Sequence, residues 1–397
     1  MTTHNVESLE LNGVSRLEDS QGPQTLMTPM EKPINGSGVP IIRVFGVGGA
    51  GCNAVARMFG NSLEGVDFYG INTDMQHLNR TPFTHQIPIG QALTRGLGSG
   101  GNPDLGRRAA EESRADLINA VSDADMVFLA AGMGGGTGTG AAPVLAQIAK
   151  ESGALTIAVV SKPFSFESEI RRQNAEEGIA RLKEHVDTVI VIPNDRLMQM
   201  EGNDNGAFTW DSALAMADSV LQQGIQAISE VITVPGEINV DFADVKAIMA
   251  NAGPAWLAIG KAHGENRAVM AARMAVKSPL LDTVLEGAKR ILFVISGGPN
   301  LTLQEVNDAS AVIQEVADPE ANIIFGTCKD GTMVDEVKVT LVASSFPILN
   351  HIQGVYEQHQ EDLQRLLQHT PEPDHDDLDV PSFLRKQADR KKRGWFR

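Results

Sequence analysis

Three things are scarce in this sequence, and each scarcity excludes a class of protein. Only two cysteines occur, Cys52 and Cys328, too few for a disulfide framework, which predicts a reducing, cytoplasmic compartment. Lysine and arginine total 33 against 50 acidic residues, and the net charge of −17 argues against a general nucleic-acid-binding protein, which needs a broad basic surface. The sequence contains neither a run of about eighteen apolar residues nor a signal peptide, so we expect a soluble intracellular protein.

The length and composition predict two domains with flexible ends. The chain has 397 residues, of which 42% are hydrophobic, and this exceeds what one domain needs. Residues 1–40 mix Thr, Ser, Asn, Gln, Gly and Pro without hydrophobic periodicity, which predicts a disordered N-terminal tail. Structure is expected to begin at Ile41.

A glycine-rich loop between a buried strand and a helix is the strongest functional signal. The apolar run Met126–Ala131 predicts the strand, and the pattern Pro143–Lys150 predicts the helix, with Pro143 in its first turn. A helix N-terminus offers free N–H groups to an anion, and glycines let the backbone approach it, so we interpret the loop as a phosphate cradle; the alternative is a flexible linker. No Lys-Ser/Thr pair follows, so this is not a Walker loop, and a triphosphate would depend on backbone amides and a cation. The cradle residues are Gly134, Gly135, Gly136, Gly138 and Gly140, with hydroxyl donors on Thr137 and Thr139.

An earlier glycine loop has two interpretations. The strand Ile41–Val47 leads into Gly46–Gly51, a formal match to the dinucleotide-binding fingerprint, with Asp74 near the expected distance downstream. On this motif alone the chain would be an NAD-dependent oxidoreductase with a Rossmann domain, which remains the alternative. A dinucleotide-binding fold does not require the second glycine loop at residues 134–140, and that loop favours another nucleotide.

The order of the predicted elements indicates an α/β fold followed by a smaller domain. Apolar strands alternate with helices as far as Ile192, a pattern that gives right-handed crossovers and a parallel sheet. One of these helices is predicted over Leu105–Val121. The long helical pattern Thr209–Thr233 is expected to join the two domains, and the helices and adjacent strands beyond it predict an α+β layer.

The loop Gly134–Gly140 resembles the signature loop of the tubulin/FtsZ family. The resemblance covers about Ile41 to Phe346 and returns in the tail Asp379–Arg385. It implies an α/β, tubulin-like fold. The expected parts are a Rossmann-like parallel-sheet GTPase domain (41–208), a long central helix (209–233), a smaller α+β domain carrying a catalytic loop (234–346), an acidic linker (347–378) and a partner-binding, basic tail (379–397).

The resemblance also implies which residues contact a guanine nucleotide. The two glycine loops and the turn Gly96–Pro103 would surround the phosphates, and polar residues at strand ends would hold the ribose and base, because open α/β sheets bind ligands at the carboxyl ends of their strands. Beyond the loop at residues 134–140, the implied contacts are Gly48, Gly49, Gly51, Cys52, Asn53, Asn72, Asp74, Gly100, Gly101, Asn102, Glu167, Arg171, Asn194 and Asp218.

Several of these positions could have a purely structural role. Cys52 would pack in the core, and Asn72 and Asp74 would cap a helix. Glu167 and Arg171 have the spacing of an i,i+4 surface ion pair.

Guanine selectivity is assigned to Asn194 and Asp218. A carboxylate accepts from N1–H and the exocyclic amine of guanine together, and adenine offers no such pair of donors. The alternative for Asp218 is a solvated helix residue. Leu214 stands where the family has a Phe that stacks on the base, so some stacking energy should be lost.

The catalytic residues implied by the resemblance come from the second domain. Asp241 and Asp244 share one face of the first turn of a predicted helix, where the helix dipole favours negative charge, and the alternative is ordinary N-terminal capping. With Asn239 they match the family's catalytic loop, in which Asp244 acts on the nucleotide of a neighbouring subunit. Pro254 and Trp256 depart from the family pattern and leave the local helix geometry open.

The expected function is that of a GTP-dependent cytoskeletal GTPase. It would bind GTP or GDP with Mg²⁺, polymerise head to tail with itself and form the division ring at midcell. Residues 379–397 would bind membrane-tethering and regulatory division proteins, with the basic end touching lipid weakly at most; the alternative is a solvated chain end. No nucleic-acid partner is expected. Besides the oxidoreductase, the remaining alternative is a tubulin-like protein of cell shape without a role in division.

Overall fold

Ten strands pair into one continuous sheet. The structure, a computed structural model, describes residues 40–59, 65–197, 209–233, 238, 240–280 and 288–345. Its strands are β1 Ile42–Val47, β2 Val66–Asn72, β3 His85–Pro88, β4 Met126–Gly132, β5 Leu155–Lys162, β6 Thr188–Pro193, β7 Gly253–His263, β8 Arg290–Gly297, β9 Asn322–Lys329 and β10 Glu336–Ser344. The spatial order is β3-β2-β1-β4-β5-β6-β7-β10-β8-β9.

Helices connect the strands and cover the sheet. They are α1 Gly48–Phe59, α2 Met75–Leu78, α3 Gln91–Thr94, α4 Pro103–Glu112, α5 Arg114–Val121, α6 Thr137–Glu151, α7 Glu169–Lys183, α8 Asn194–Leu197, α9 Trp210–Thr233, α10 Phe242–Met249, α11 Arg267–Val276 and α12 Leu303–Val316. In the part of the chain that the structure describes, no helix is both long and apolar enough to cross a membrane.

The first half of the sheet is parallel and buried on both faces. β1 pairs with β2 and β4, β4 with β5, and β5 with β6, all in parallel register. In β4, Met126 and Phe128 belong to the core on one face, while Val127 and Leu129 belong to the core on the other. Such double burial explains the continuous apolar runs in the sequence, and parallel register brings the carboxyl ends of these strands to one edge of the sheet.

The second half is joined to the first by a short junction. β6 and β7 share three parallel pairs, Thr188 with Gly253, Val189 with Pro254 and Ile190 with Ala255. β10 then runs antiparallel between β7 and β8, and β9 lies parallel beside β8 at the edge. The predicted α/β fold with a mainly parallel sheet is confirmed.

β7 corrects one expectation from the sequence. Pro254 and Trp256 lie in this strand and not in a helix. A proline is tolerated at the start of the strand because pairing with β10 begins only at Ala255, so its missing N–H removes no bond from that ladder.

Two helices also differ from the prediction. The predicted helix Leu105–Val121 is α4 and α5, divided at Ser113, whose hydroxyl accepts from the Gly90 N–H at 3.2 Å. Helix α6 begins at Thr137, inside the predicted loop, so Pro143 lies in the helix interior and not in its first turn.

The central helix α9 has 24 residues, close to the predicted range. It packs against α1 and β5 of the first half and against β9 of the second. The predicted linker and binding tail (347–397) lie outside the described residues, as does the predicted N-terminal tail apart from Pro40.

Candidate functional site

A cavity of about 340 Å³ opens at the carboxyl ends of β1, β4, β5 and β6. Its size lies in the range of small-molecule sites, and its position is where open α/β sheets bind ligands. Ten of the predicted contacts line it: Gly48, Gly49, Gly135, Gly136, Thr137, Gly138, Glu167, Arg171, Asn194 and Asp218.

Two glycine loops form the floor of the cavity by close backbone approach. Gly48 has a φ of +72°, and a Cβ there would lie 2.9 Å from the backbone nitrogen of Gly138. A Cβ on Gly138 would lie 2.5 Å from the carbonyl oxygen of Gly132. Gly135 differs, because a Cβ there would meet nothing within 4 Å. The glycines on the floor are therefore needed for packing, whereas Gly135 borders open space.

The N-terminus of α6 supplies the electrostatic character of this floor. The first turn of α6 contains no acidic residue, and its N-cap, Gly136, provides no side chain to bond the free N–H groups. Thr137 and Gly138, the first residues of the helix, line the cavity. The free amides and the positive end of a 15-residue helix therefore face the space that an anion would occupy.

Three hydroxyl groups from separate segments meet behind the floor. Thr137 Oγ1 lies 2.7 Å from Thr73 Oγ1 and 3.0 Å from Ser99 Oγ, and all three residues are buried. Thr139 faces elsewhere: its hydroxyl accepts from the Gly134 N–H at 2.8 Å and closes the loop. No sequence motif pointed to Thr73 or Ser99 individually, although Ser99 lies within the predicted glycine-rich turn.

The other end of the cavity carries buried polar groups. Asn194 is 6% exposed, and its Oδ1 has no hydrogen-bond partner in the described structure. Asp218 is 9% exposed, and burial raises the pKa of its carboxyl group to about 6, although Arg57 opposes the shift through a contact of 3.4 Å to Oδ2. A buried acceptor without a partner and a desolvated carboxylate are what a base with adjacent N–H donors would satisfy.

Glu167 and Arg171 border the cavity and also pair with each other. Glu167 precedes α7, and its second carboxylate oxygen accepts from the Phe164 N–H at 3.0 Å. The ion pair expected from the spacing is therefore present at the cavity wall, where a ribose hydroxyl could exchange with it.

The remaining predicted contacts surround the cavity without lining it. Cys52 is fully buried, its thiol lies 3.2 Å from the Gly46 carbonyl oxygen, and burial raises its pKa to about 12, so it is a packing residue and not a reactive thiol. Asp74 caps α2 by accepting from Gln76 and His77. The others outside the lining are Gly51, Asn53, Asn72, Gly100, Gly101, Asn102, Gly134, Thr139 and Gly140.

Part of the lining was not predicted from the sequence. Leu214, singled out only as a departure from the family, does line the cavity and is 39% exposed. The unpredicted lining residues follow strand ends or lie beside predicted ones, which is the signal that could have found them: Ala50, Ser99, Gly132, Met133, Ser161, Pro163 and Ala217.

The predicted catalytic carboxylates lie at the opposite end of the sheet. Asp241 is the N-cap of α10 without a side-chain capping bond, and both it and Asp244 are exposed. The end of α10 is fixed at the amino end of β6, where Thr188 Oγ1 donates to the Met249 carbonyl at 2.5 Å. Since the cavity is at the carboxyl end of β6, the six residues of that strand place the C-terminal end of α10 about 20 Å from the cavity. The N-terminal end of α10 is remote as well: Val240 lies with Val231 of α9 against Gly326, and the thirteen residues of α9 between Asp218 in the cavity lining and Val231 span about 20 Å. Asn239 lies outside the described residues.

The fold and cavity define an α/β nucleotide-binding protein whose phosphate site is made of glycine loops and a helix N-terminus. Residues 41–202 match the GTPase domain of the tubulin/FtsZ family, and residues 253–347 match the C-terminal domain of the FtsZ family. Two solved FtsZ structures from M. jannaschii, an empty dimer and a point mutant, are 46% and 45% identical to this chain, with TM-scores of 0.74 and 0.75. These matches cover 77% and 78% of this chain, and 88% and 92% of the FtsZ chains.

This chain belongs to the tubulin/FtsZ family. A CetZ protein from Haloferax volcanii, described as a GTPγS-bound protofilament, matches at 21% identity and a TM-score of 0.65 over 82% of this chain and 99% of its own, which supports the fold alone. The Gly46–Gly51 fingerprint falls within the match to the GTPase domain, so the interpretation as an NAD-dependent oxidoreductase is set aside.

The residues of the cavity fit a guanine nucleotide. The glycine floor and the α6 N-terminus suit phosphates, and the acceptor Asn194 Oδ1 with the Asp218 carboxylate suits the base. Among the described residues, no group of three or more His, Cys, Asp or Glu is placed to hold a metal ion. Mg²⁺ at such a site takes most of its ligands from phosphate oxygens and water.

Proposed function

We propose that this chain is a GTP-dependent, self-assembling GTPase that polymerises head to tail into the filaments of a bacterial division ring. The observation that carries the proposal is the separation between the cavity and the exposed carboxylates of α10, which lie at opposite ends of the sheet. In this proposal the cavity binds the nucleotide but lacks the catalytic carboxylates, and α10 carries the carboxylates but no nucleotide. The FtsZ dimer among the related structures supports self-association.

Nucleotide selection is assigned to the polar end of the cavity. The ionised Asp218 accepts from N1–H and the exocyclic amine of guanine, and Asn194 satisfies its buried oxygen on the same base. A site that uses buried polar partners rejects a base without them by roughly 10⁴-fold or more. Similar affinities for ATP and GTP in a calorimetric titration would contradict this assignment.

Phosphate binding is assigned to backbone amides. Thr137 and Gly138 at the start of α6, with Gly48 and Gly49 at the start of α1, present their N–H groups to the phosphates. Bound Mg²⁺ would be held mainly by the phosphates and water and would neutralise part of the phosphate charge. Catalysis of phosphoryl transfer then rests on positioning and electrostatic stabilisation.

The positioning of the attacking water is assigned to residues of the next subunit. Asp244, with Asp241 and Asn239, would order the water that attacks the γ-phosphorus while the bond to the β-phosphate oxygen breaks. Two hydrogen bonds fix the C-terminal end of α10. Thr188 donates to the Met249 carbonyl oxygen, and Arg290 Nη1 donates to the Ala250 carbonyl oxygen at 3.1 Å. Such a two-sided contact is heterologous, and without closure it generates an open filament.

A mixing experiment tests the shared site. Asp244→Ala leaves the cavity intact but removes the water-ordering carboxylate, whereas Gly135→Asp places a negative charge in the phosphate cradle at a position with open space. Each variant alone should hydrolyse GTP poorly. In a 1:1 mixture, about a quarter of randomly formed interfaces combine the two intact halves, so partial activity should return.

The control is Glu315→Ala, which removes an exposed carboxylate on α12. It should retain activity that rises steeply above a threshold protein concentration. Activity that is independent of dilution, together with an Asp244→Ala variant as active as the parent, contradicts the shared site.

The cellular part of the proposal concerns the tail. Residues 379–397 would recruit tethering and regulatory partners in the cytoplasm at midcell, since the apolar Val380, Phe383 and Leu384 precede a basic end in an otherwise acidic chain. Truncation after Leu378 should leave hydrolysis intact and abolish midcell localisation of a fluorescent fusion. Normal rings in cells that carry this truncation would count against the tail. A full-length fusion that never localises to midcell would favour the role in cell shape instead.

A further inference from the structure

His77 lies between two asparagines beside the phosphate loop, and no motif in the sequence pointed to it. The residue belongs to the short helix α2 and is half-buried. Its Nε2 is 3.1 Å from Asn53 Oδ1, and its Nδ1 is 3.3 Å from Asn72 Nδ2. One imidazole therefore connects the helix that follows the first glycine loop to the end of β2.

The hydrogen bonds of Asn72 fix the tautomer of this imidazole. The Asp74 N–H donates to Asn72 Oδ1 at 3.2 Å, so the side-chain NH₂ of Asn72 faces His77 as a donor. Nδ1 of His77 must then accept, which leaves the proton on Nε2. Nε2–H donates to Asn53 Oδ1, and each ring nitrogen has a matching partner.

The bond from His77 determines how the amide of Asn53 is oriented. Asn53 is exposed and lies one helical turn after Gly49, which lines the cavity. Side chains in a helix lean toward its N-terminus, so Asn53 reaches back toward Gly49. A Cβ on Gly49 would lie 3.8 Å from His77 Nε2, which places the imidazole at the same rim. Because Asn53 Oδ1 is occupied by His77, its NH₂ remains free to donate.

We propose that His77 is a positioning residue for the nucleotide phosphates and acts through Asn53. By occupying the amide oxygen, it holds the Asn53 NH₂ toward the mouth of the glycine loop, where a phosphate oxygen accepts. The inference rests on the proposed nucleotide site. It adds a residue whose effect passes through another side chain, and this makes it separable from that site by experiment.

A double-mutant cycle with GDP as the probe tests the inference. His77→Ala and Asn53→Ala should each weaken GDP binding by roughly five- to tenfold, as expected for one hydrogen bond made by an exposed side chain. The double variant should bind no more weakly than the weaker single variant, because both changes remove the same interaction. His77→Gln, whose amide can still donate to Asn53, should stay within about twofold of the parent.

The matched control is His85→Ala. His85 lies on β3, stacks on Tyr69 at 4.7 Å between ring centroids and is outside the cavity lining, so its loss should leave the affinity for GDP unchanged. Effects of His77→Ala and Asn53→Ala that multiply, or a His77→Ala variant with the parent's affinity, overturn the inference. If His77→Ala does not fold, a His77→Gln variant as weak as Asn53→Ala overturns it equally.

A direct measurement separates this inference from the proposed function. Nitrogen-resolved NMR of the nucleotide-free protein should show His77 protonated at Nε2, with Nδ1 as an unprotonated acceptor. The opposite tautomer refutes the positioning role even if GDP binds. Failure of the parent protein to bind GDP, with the expected tautomer present, instead refutes the proposed nucleotide site.

Discussion

Guanine binding should weaken in acid because the Asp218 carboxylate must be ionised to accept from the base. Burial raises the pKa of this group to about 6 in the nucleotide-free protein, against the pull of Arg57 in the other direction. Between about pH 7 and about pH 5 the ionised fraction falls from about nine-tenths to about one-tenth, and the apparent affinity follows the fraction that is competent to bind. The Kd for GDP should therefore rise about tenfold from this group alone.

The assay compares the parent with Asp218→Asn by titration of GDP at both pH values. The phosphates of GDP also titrate in this range, but their contribution is common to both proteins and cancels in the ratio of the two Kd values. At neutral pH the variant should bind roughly 30- to 100-fold more weakly, because it loses charge-assisted hydrogen bonds. The ratio should shrink about tenfold at the lower pH. Asp67→Asn is the control, since Asp67 is half exposed and pairs with Arg43 in the first half of β2.

Stability should depend on pH in the opposite direction. A carboxyl group whose folded-state pKa of about 6 exceeds its ordinary value of 3.8 stabilises the fold when it is protonated. Its contribution to the free energy of unfolding is fully present below pH 3.8 and is lost as the pH rises through about 6. The nucleotide-free protein should therefore gain stability from Asp218 as its affinity for GDP falls.

In the titration of GDP, a ratio of the Kd of Asp218→Asn to that of the parent that is the same at both pH values would refute the reasoning.

Four further substitutions test the base site, the backbone packing and a buried ion pair. Leu214→Phe should strengthen GDP binding by roughly two- to tenfold in a calorimetric titration, because an aromatic ring replaces an aliphatic side chain at the cavity wall. Gly51→Ala should lower the free energy of unfolding by about 3 kcal/mol in a denaturant titration, since its Cβ would collide with a backbone carbonyl of β4, whereas Gly135→Ala should be nearly neutral. Arg267→Gln should cost about 2 kcal/mol in the same titration, because the guanidinium is buried and lies 2.8 Å from Glu305; equal stability to the parent would show that the pair contributes nothing.

The strands that the sequence predicted well are those buried on both faces. In β4, the side chains on both faces of the strand are apolar. Such a short apolar run between turn signals is typical of a strand inside a parallel sheet. β7 was missed because Gly253 and Pro254 open it, which resembles a loop after a helix, and because its alanines carry little strand preference. Its place in the sheet depends on pairing with β10, some eighty residues later, and no local pattern carries that information.

The start of α6 shows why the shape of the cavity could not be predicted in full. Gly138 and Gly140 suggested a loop because glycine disfavours helices. In the structure both are helical, and glycine is required at each because a Cβ would strike backbone, that of Gly132 for Gly138 and that of Pro103 for Gly140. The glycines therefore reflect close packing against neighbouring backbone and not the absence of a helix. Helix α6 begins at Thr137, directly at the cavity. The glycine loop itself was the stronger signal, and it did locate the site.

The junction between β6 and β7 joins the two halves of the sheet through few paired residues. Its three pairs form the shortest ladder in the described sheet, whereas β4 and β5 share seven and β7 and β10 share nine. In the described sheet, the direct backbone pairing between the two halves is therefore confined to Thr188–Ile190 and Gly253–Ala255. Helix α9 packs on β5 in one half and on β9 in the other, so its side chains add a second connection between the halves.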